Sequence, residues 1–84
     1  MPGHKRFVYV LKSADRTAEF YVGLTADVSA RLQAHNRGEC THTASRGPWE
    51  RHVVIEFRDE GTAVRFERYL KSGSGRAFAK RHFE

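Results

Sequence analysis

The sequence predicts an α+β fold, and three observations carry the prediction. Runs rich in β-branched and aromatic residues lie at Phe7–Leu11, Phe20–Val22 and His52–Phe57. Helix-forming runs follow the second and third of these, and polar or glycine-bearing stretches separate every run from the next. Eighty-four residues are read as one domain spanning 1–84, with a core over about 6–72 and a short basic helix over about 75–83. A chain of this length buries only about 60% of the surface its unfolded form exposes, so its core is thin.

In Phe7-Val8-Tyr9-Val10-Leu11 no polar residue alternates with the apolar ones, which is the composition of a strand covered on both faces. Ser13-Ala14-Asp15-Arg16-Thr17 is a polar break, and Phe20-Tyr21-Val22 resumes strand character and is expected to stop at Gly23. Two strands joined by so short a loop read as an antiparallel hairpin. The pairing brings Tyr9 and Tyr21 within reach of each other, but a one-residue slip reverses a side chain's face, so their facing is left open.

Thr25 or Asp27 is suited to cap the helix that follows, which runs to Asn36. Val28, Leu32 and His35 fall at i, i+4 and i+7, with Arg31 and His35 on adjacent turns at the border of that stripe. Gly38 suits the left-handed position that ends a helix. Residues 39–50 read as a loop with hydroxyls and Arg46 available to a phosphate backbone, or as a solvated connector pinned by Trp49. After the third strand, Asp59-Glu60-Gly61-Thr62 opens a second helix to about Leu70. Lys71-Ser72-Gly73-Ser74-Gly75 is expected to break it, and Arg76 to Phe83 to form a basic terminal helix.

The bulk numbers narrow the class. Fifteen Lys plus Arg against ten Asp plus Glu give a formal charge of +5, a balance that favours polyanionic partners and nucleic acid above all. The single Cys40 leaves no internal disulfide and points to a reducing, cytoplasmic setting. Nothing approaches the roughly 18 consecutive apolar residues of a membrane span, and the charged start Met1-Pro2-Gly3-His4-Lys5-Arg6 lacks the apolar run of a signal peptide. Cys40-Thr41-His42 lacks the paired spacing of a structural zinc site. Gly73-Ser74-Gly75 follows a helix and lacks the Lys and Thr/Ser context of a phosphate loop.

The candidate chemistry lies in an ordered set. Tyr9 and Tyr21 precede Arg31, which is ten residues beyond Tyr21; His35 follows four later, and Glu67 lies in the second helix. A phenol or imidazole handles protons, a guanidinium neutralises phosphate and a carboxylate holds a hard cation, which together make metal-assisted phosphodiester cleavage. Each residue alone also has an ordinary structural reading. Glu67 sits between Ala63 and Leu70 on an apolar stripe, where a carboxylate is costly unless paired or bound to a cation; a salt bridge and a metal ligand are both open. Lys71, one turn beyond Glu67, is read as a phosphate contact or as the partner of that glutamate. Arg46, Lys71, Arg76 and Lys80, with Arg81 beside them, are the candidate backbone-contacting cations.

With these residues in place the chain resembles the GIY-YIG endonuclease superfamily from Phe7 to about Lys71. The first family motif stands as Val8-Tyr9-Val10, with Val8 where glycine is typical, and the second as Tyr21-Val22-Gly23. The family's arginine, histidine and glutamate fall on Arg31, His35 and Glu67. The run His35-Asn36-Arg37-Gly38, with Thr43 and Pro48-Trp49, looks most like the small stand-alone branch related to the N-terminal nuclease domain of the excinuclease repair enzyme. The resemblance implies a three-stranded antiparallel sheet flanked by helices and a metal-dependent hydrolase of DNA phosphodiesters, structure-selective and linked to repair or recombination. It implies one Mg²⁺ or Mn²⁺ ion held by Glu67, water activation by Tyr9 or Tyr21 with His35, and charge stabilisation by Arg31. A phenol with an unperturbed pKa of about 10 needs a neighbouring cation to act as a base at neutral pH; the metal, Arg31 and a protonated His35 are the candidates. DNA is the expected partner with RNA not excluded, in a monomer or weak homodimer away from membranes. The rival reading is a nucleic-acid-binding module with little or no nuclease activity.

Overall fold

The computed structural model describes residues 5–84. The expectation that the extreme N-terminus carries no targeting signal rests largely on Met1–His4, outside the described residues. The elements run β1 (Arg6–Ser13), β2 (Phe20–Thr25), α1 (Val28–Asn36), β3 (Trp49–Phe57), α2 (Glu60–Lys71) and α3 (Gly73–His82). The three strands form one antiparallel sheet in the order β2-β1-β3, an α+β architecture with helices against both faces. The central position of β1 explains its unbroken apolar run. Val8, Tyr9, Val10 and Leu11 are all buried, since both faces of that strand are covered.

The two faces hold separate clusters. Against α2 and α3 lie Val8, Ala63, Leu70 and Ala79, ringed by Val22, Leu24, Phe57, Phe66, Phe78 and Phe83. On the other face Tyr9, Leu11, Val28 and Trp49 pack with Phe7, Tyr21 and Leu32. The β1–β3 register shifts between Val10 and Leu11, where Val10 pairs with Val53 and Leu11 with Arg51, so His52 is the extra residue of a bulge.

Local chemistry fixes the helix ends. The Asp27 carboxylate accepts from the Ala30 N–H at 3.0 Å, and Gly38 closes α1 with φ of 76°, the left-handed conformation that favours glycine. The Asp59 carboxylate caps α2 by accepting from the Thr62 N–H at 2.8 Å. Asn36 then ties α1 to the sheet, its side-chain oxygen accepting from the Trp49 N–H at 2.7 Å and its Nδ2 donating to the Trp49 carbonyl at 3.0 Å.

Three boundaries differ from the sequence reading. β2 continues through Gly23 to Thr25, because the residues beyond the glycine keep their pairing with Val8 and Phe7. β3 begins at Trp49, which Asn36 holds in place, so the preceding loop is shorter than 39–50. The expected break at 71–75 contracts to Ser72. That residue ends α2 and caps α3, its hydroxyl donating to the Tyr69 carbonyl at 2.6 Å and accepting from the Gly75 N–H at 3.2 Å. α3 therefore starts at Gly73 rather than near Arg76. Gly75 lies inside its first turn, and only glycine fits there, because a Cβ would overlap the Tyr69 carbonyl oxygen.

Candidate active site

The hairpin settles where the tyrosines point. Tyr9 pairs with Gly23 and Leu11 with Tyr21, and directly paired residues share a face of the sheet, so both phenols stand on the α1 side. Their ring centroids are 6.3 Å apart. Gly23 makes room for this arrangement. A Cβ at that position would overlap the Tyr9 Cζ and Oη and lie 2.8 Å from Cε1. The glycine of the second motif thus provides the space across which the tyrosine of the first one lies.

α1 supplies His35 and Arg31. The periodicity places His35 at the edge of the apolar stripe; in the fold it lies inside, 2% exposed against 1% for Tyr9. Its Nε2 is 3.0 Å from the Tyr9 hydroxyl and its Nδ1 is 2.7 Å from the Thr43 hydroxyl. Its ring also meets Tyr21, with centroids 4.9 Å apart. Burial, and then the positive charge of Arg31, hold His35 below the ordinary imidazole value, so it is neutral at pH 7. A protonated His35, one of the cations that could lower a tyrosine's pKa, is therefore not its resting state. Burial pushes the Tyr9 phenol up to about 12, and the Arg31 guanidinium beside its oxygen opposes that shift without overcoming it. Arg31 itself is exposed, standing over the buried pair.

Glu67 comes from α2. Its carboxylate lies 2.5 Å from the Lys71 ammonium, one turn along the same helix, and its side chain is 15% exposed. Its partner is thus this i,i+4 lysine, nearer along its own helix than any arginine of α1. Lys71 in turn lies 5.8 Å from the centroid of the Tyr21 ring. A contact chain therefore joins Glu67 through Lys71 and Tyr21 to His35 and Tyr9.

Beside this chain a groove of about 500 Å³ is lined by Tyr21, Arg46, Lys71, Arg76 and Lys80, together with Glu19 and Glu84. All four cations picked out as phosphate contacts line it, while Arg81 is not among its lining residues. Lys71, Arg76 and Lys80 are exposed. Arg46 is half-buried and fastened, donating from Nε to the His42 carbonyl at 3.1 Å and lying 3.9 Å from Glu19.

The sequence reading quotes Thr43 and Gly23 as residues of the family resemblance and assigns neither a role at the site. Thr43 is completely buried, but a threonine in a loop without periodicity gives no sign of burial. The role of Gly23 needs the strand register.

The residues present suit a single hard cation. The Glu67 carboxylate already holds positive charge, that of Lys71, in a partly sheltered position. Among the described residues no three of His, Cys, Asp or Glu converge as a preformed metal cage. One carboxylate supplemented by water and substrate phosphate is the manner in which Mg²⁺ is commonly bound.

Comparisons with known proteins show which family the chain belongs to. The family model for the GIY-YIG catalytic domain matches residues 5–81. The chain is 42% identical over 67 residues to the structure-specific endonuclease subunit SLX1 of Chaetomium globosum, covering 71% of this chain and 20% of that protein. It is 40% identical over 52 residues to the Homo sapiens SLX1 protein, likewise a structure-specific endonuclease subunit, covering 56% of this chain and 19% of the relative. It thus spans about a fifth of the length of these relatives. With a UPF0213 protein of Oceanobacillus iheyensis it shares 32% identity over 68 residues, covering 80% of this chain and 77% of the other. No solved structure matches it. Among the described residues no helix is long and apolar enough to cross a membrane. With its two tyrosine motifs meeting on one sheet face and the family match spanning nearly its whole length, this chain belongs to the GIY-YIG catalytic-domain family.

Proposed function

We propose that this protein is a divalent-metal-dependent endonuclease that hydrolyses DNA phosphodiester bonds. The reading extends to selection of branched or otherwise structured DNA, in repair or recombination, by a cytoplasmic monomer or weak homodimer using one Mg²⁺ or Mn²⁺ ion. The observation that supports it best is the adjacency of the Tyr9–His35 hydrogen bond, the Glu67–Lys71 pair and a groove lined by four cations.

In this reading the groove cations Arg46, Lys71, Arg76 and Lys80 hold the phosphate backbone along the β2 edge. Arg31 leaves the Tyr9 oxygen for the scissile phosphate and stabilises charge on it as phosphorus gains a fifth oxygen. That movement uncovers the phenol. Tyr9 then accepts a proton from the attacking water as its own proton passes to Nε2 of His35, a route that avoids a free phenolate in a buried site. Tyr21 supports the His35 ring and seats Lys71 against the groove. Glu67 would hold the divalent ion, which supplies positive charge at the scissile phosphate; Lys71, displaced from the carboxylate, is then free for the backbone.

The test is cleavage of labelled single-stranded, duplex and branched DNA with Mg²⁺, Mn²⁺ or EDTA, comparing wild type with Glu67→Ala and Arg31→Ala. Metal-dependent cutting is expected in wild type alone, with folding and binding kept in Glu67→Ala. Salt-sensitive binding without cutting on any DNA or RNA substrate would replace the enzyme by a nucleic-acid-binding module.

A further inference from the structure

We propose that Thr43 is a positioning residue whose hydroxyl holds the His35 proton on Nδ1, so that Nε2 is left as the acceptor for the Tyr9 phenol. The argument is a count of donors. Among the described residues the one hydrogen-bond partner of the Tyr9 hydroxyl is Nε2 of His35. If Nε2 carried the proton, the phenol oxygen would accept from it. Its own hydrogen would then be left without an acceptor in a residue 1% exposed.

With the proton on Nδ1 every group is satisfied in one direction. The Thr43 hydroxyl donates to the Cys40 carbonyl at 3.3 Å, Nδ1 donates to the Thr43 oxygen at 2.7 Å, and the Tyr9 hydroxyl donates to Nε2 at 3.0 Å. Thr43 is suited to hold this order because its surroundings fix it. Its N–H donates to the Cys40 carbonyl at 3.1 Å, its own carbonyl accepts from the Trp49 indole at 3.0 Å, and a β-branched side chain has few rotamers. The chain of bonds also gives the proton a terminus. Nδ1 is already protonated, so a proton leaving Tyr9 stops on His35, forming an imidazolium between Tyr9 and Thr43.

The catalytic consequence rests on the nuclease reading; the tautomer does not, and the experiment separates them. Imidazole ¹⁵N NMR on the full chain without DNA, above pH 7, reads the protonated nitrogen of His35 in wild type, Thr43→Ser and Thr43→Val. Wild type and Thr43→Ser are expected to show protonated Nδ1 and bare Nε2, whereas Thr43→Val shifts His35 toward the Nε2-protonated form. Protonated Nε2 in wild type, or an unchanged tautomer in folded Thr43→Val, overturns the proposal. If Thr43→Val does not fold, bare Nε2 in wild type and Thr43→Ser supports it, and protonated Nε2 in either sinks it. In cleavage assays Thr43→Val is expected to lose about tenfold or more in kcat with KM unchanged, and Thr43→Ser to restore it. An undiminished kcat in Thr43→Val also overturns the role. A wild type that cuts nothing removes the nuclease reading and leaves the NMR result to decide on Thr43.

Discussion

The two faces of the sheet are built from the same three strands but to different ends. Against α2 and α3 the sheet presents Val8, Val22, Leu24 and Phe57 to Ala63, Leu70, Phe66 and Phe78, an apolar interior with nothing to titrate. Against α1 it presents Tyr9 and Tyr21 to a completely buried Thr43 and an almost completely buried His35. The first face stabilises by area removed from water. The second buries polar groups whose cost is offset only because each finds a partner, and no buried side-chain polar atom among the described residues is left without one. The buried polar groups thus lie on the α1 face, while α2 and α3 pack the apolar face and send Glu67, Lys71, Arg76 and Lys80 toward the β2 edge, where Lys71 meets Tyr21.

The sharpest way to break this comparison is a paired substitution. Tyr9→Phe is expected to lower cleavage by about 10²-fold or more and stability by only about 1 kcal/mol, the cost of leaving Nε2 of His35 without its partner. Phe78→Ala on the apolar face is expected to lower stability by about 2–3 kcal/mol while leaving cleavage per folded molecule unchanged. Thermal melts and single-turnover cleavage on the two variants check this, and equal stability losses would dissolve the distinction.

Gly23→Ala is the intermediate case, because it introduces a methyl where the Tyr9 ring lies. It is expected to destabilise by about 1–3 kcal/mol and to reduce cleavage beyond what the folded fraction explains. Tyr9→Phe combined with it should add little further loss of cleavage, a non-additivity that a double-mutant cycle reads directly.

The smallest effects are those of pH. The Tyr9 pKa is raised in the folded state from 10.0 to about 12; its contribution is therefore complete below pH 10 and lost as the pH rises through 12. His35 is shifted the other way. Its contribution is present above its ordinary value of 6.5 and is lost as the pH falls through its lowered folded value. Denaturant midpoints across both ranges should lose the alkaline dependence in Tyr9→Phe and weaken the acid dependence in His35→Asn. Unchanged slopes in either variant would place that titration elsewhere.

Much of this is legible without coordinates, and the places where it is not have a common cause. The apolar runs of β1 and β3, the caps Asp27 and Asp59 and the glycine at 38 are local signals, since each depends on a backbone preference or a neighbour within about one turn. Tyr9, Tyr21, Arg31, His35 and Glu67 can be selected by chemical type and order. Thr43 enters only as part of the family resemblance, and its place beside His35 is hidden because the two are eight residues apart across a loop. Gly73-Ser74-Gly75 reads as a break because glycine disfavours helix, yet Ser72 caps α3 there, and the close approach of Gly75 to the Tyr69 carbonyl requires a residue without Cβ.

The sequence by itself determined the order of elements, the basic charge and the identity of the groups available for chemistry, because these follow from side-chain type and short-range backbone preference. Only the tertiary structure decided that both tyrosines share a face, that Glu67 is held by Lys71, that four cations line one groove, and that His35 is buried and neutral between Tyr9 and Thr43. Those facts depend on strand register and on contacts between residues far apart in the chain. Their energies are set by burial and dielectric surroundings, which no short stretch of sequence specifies.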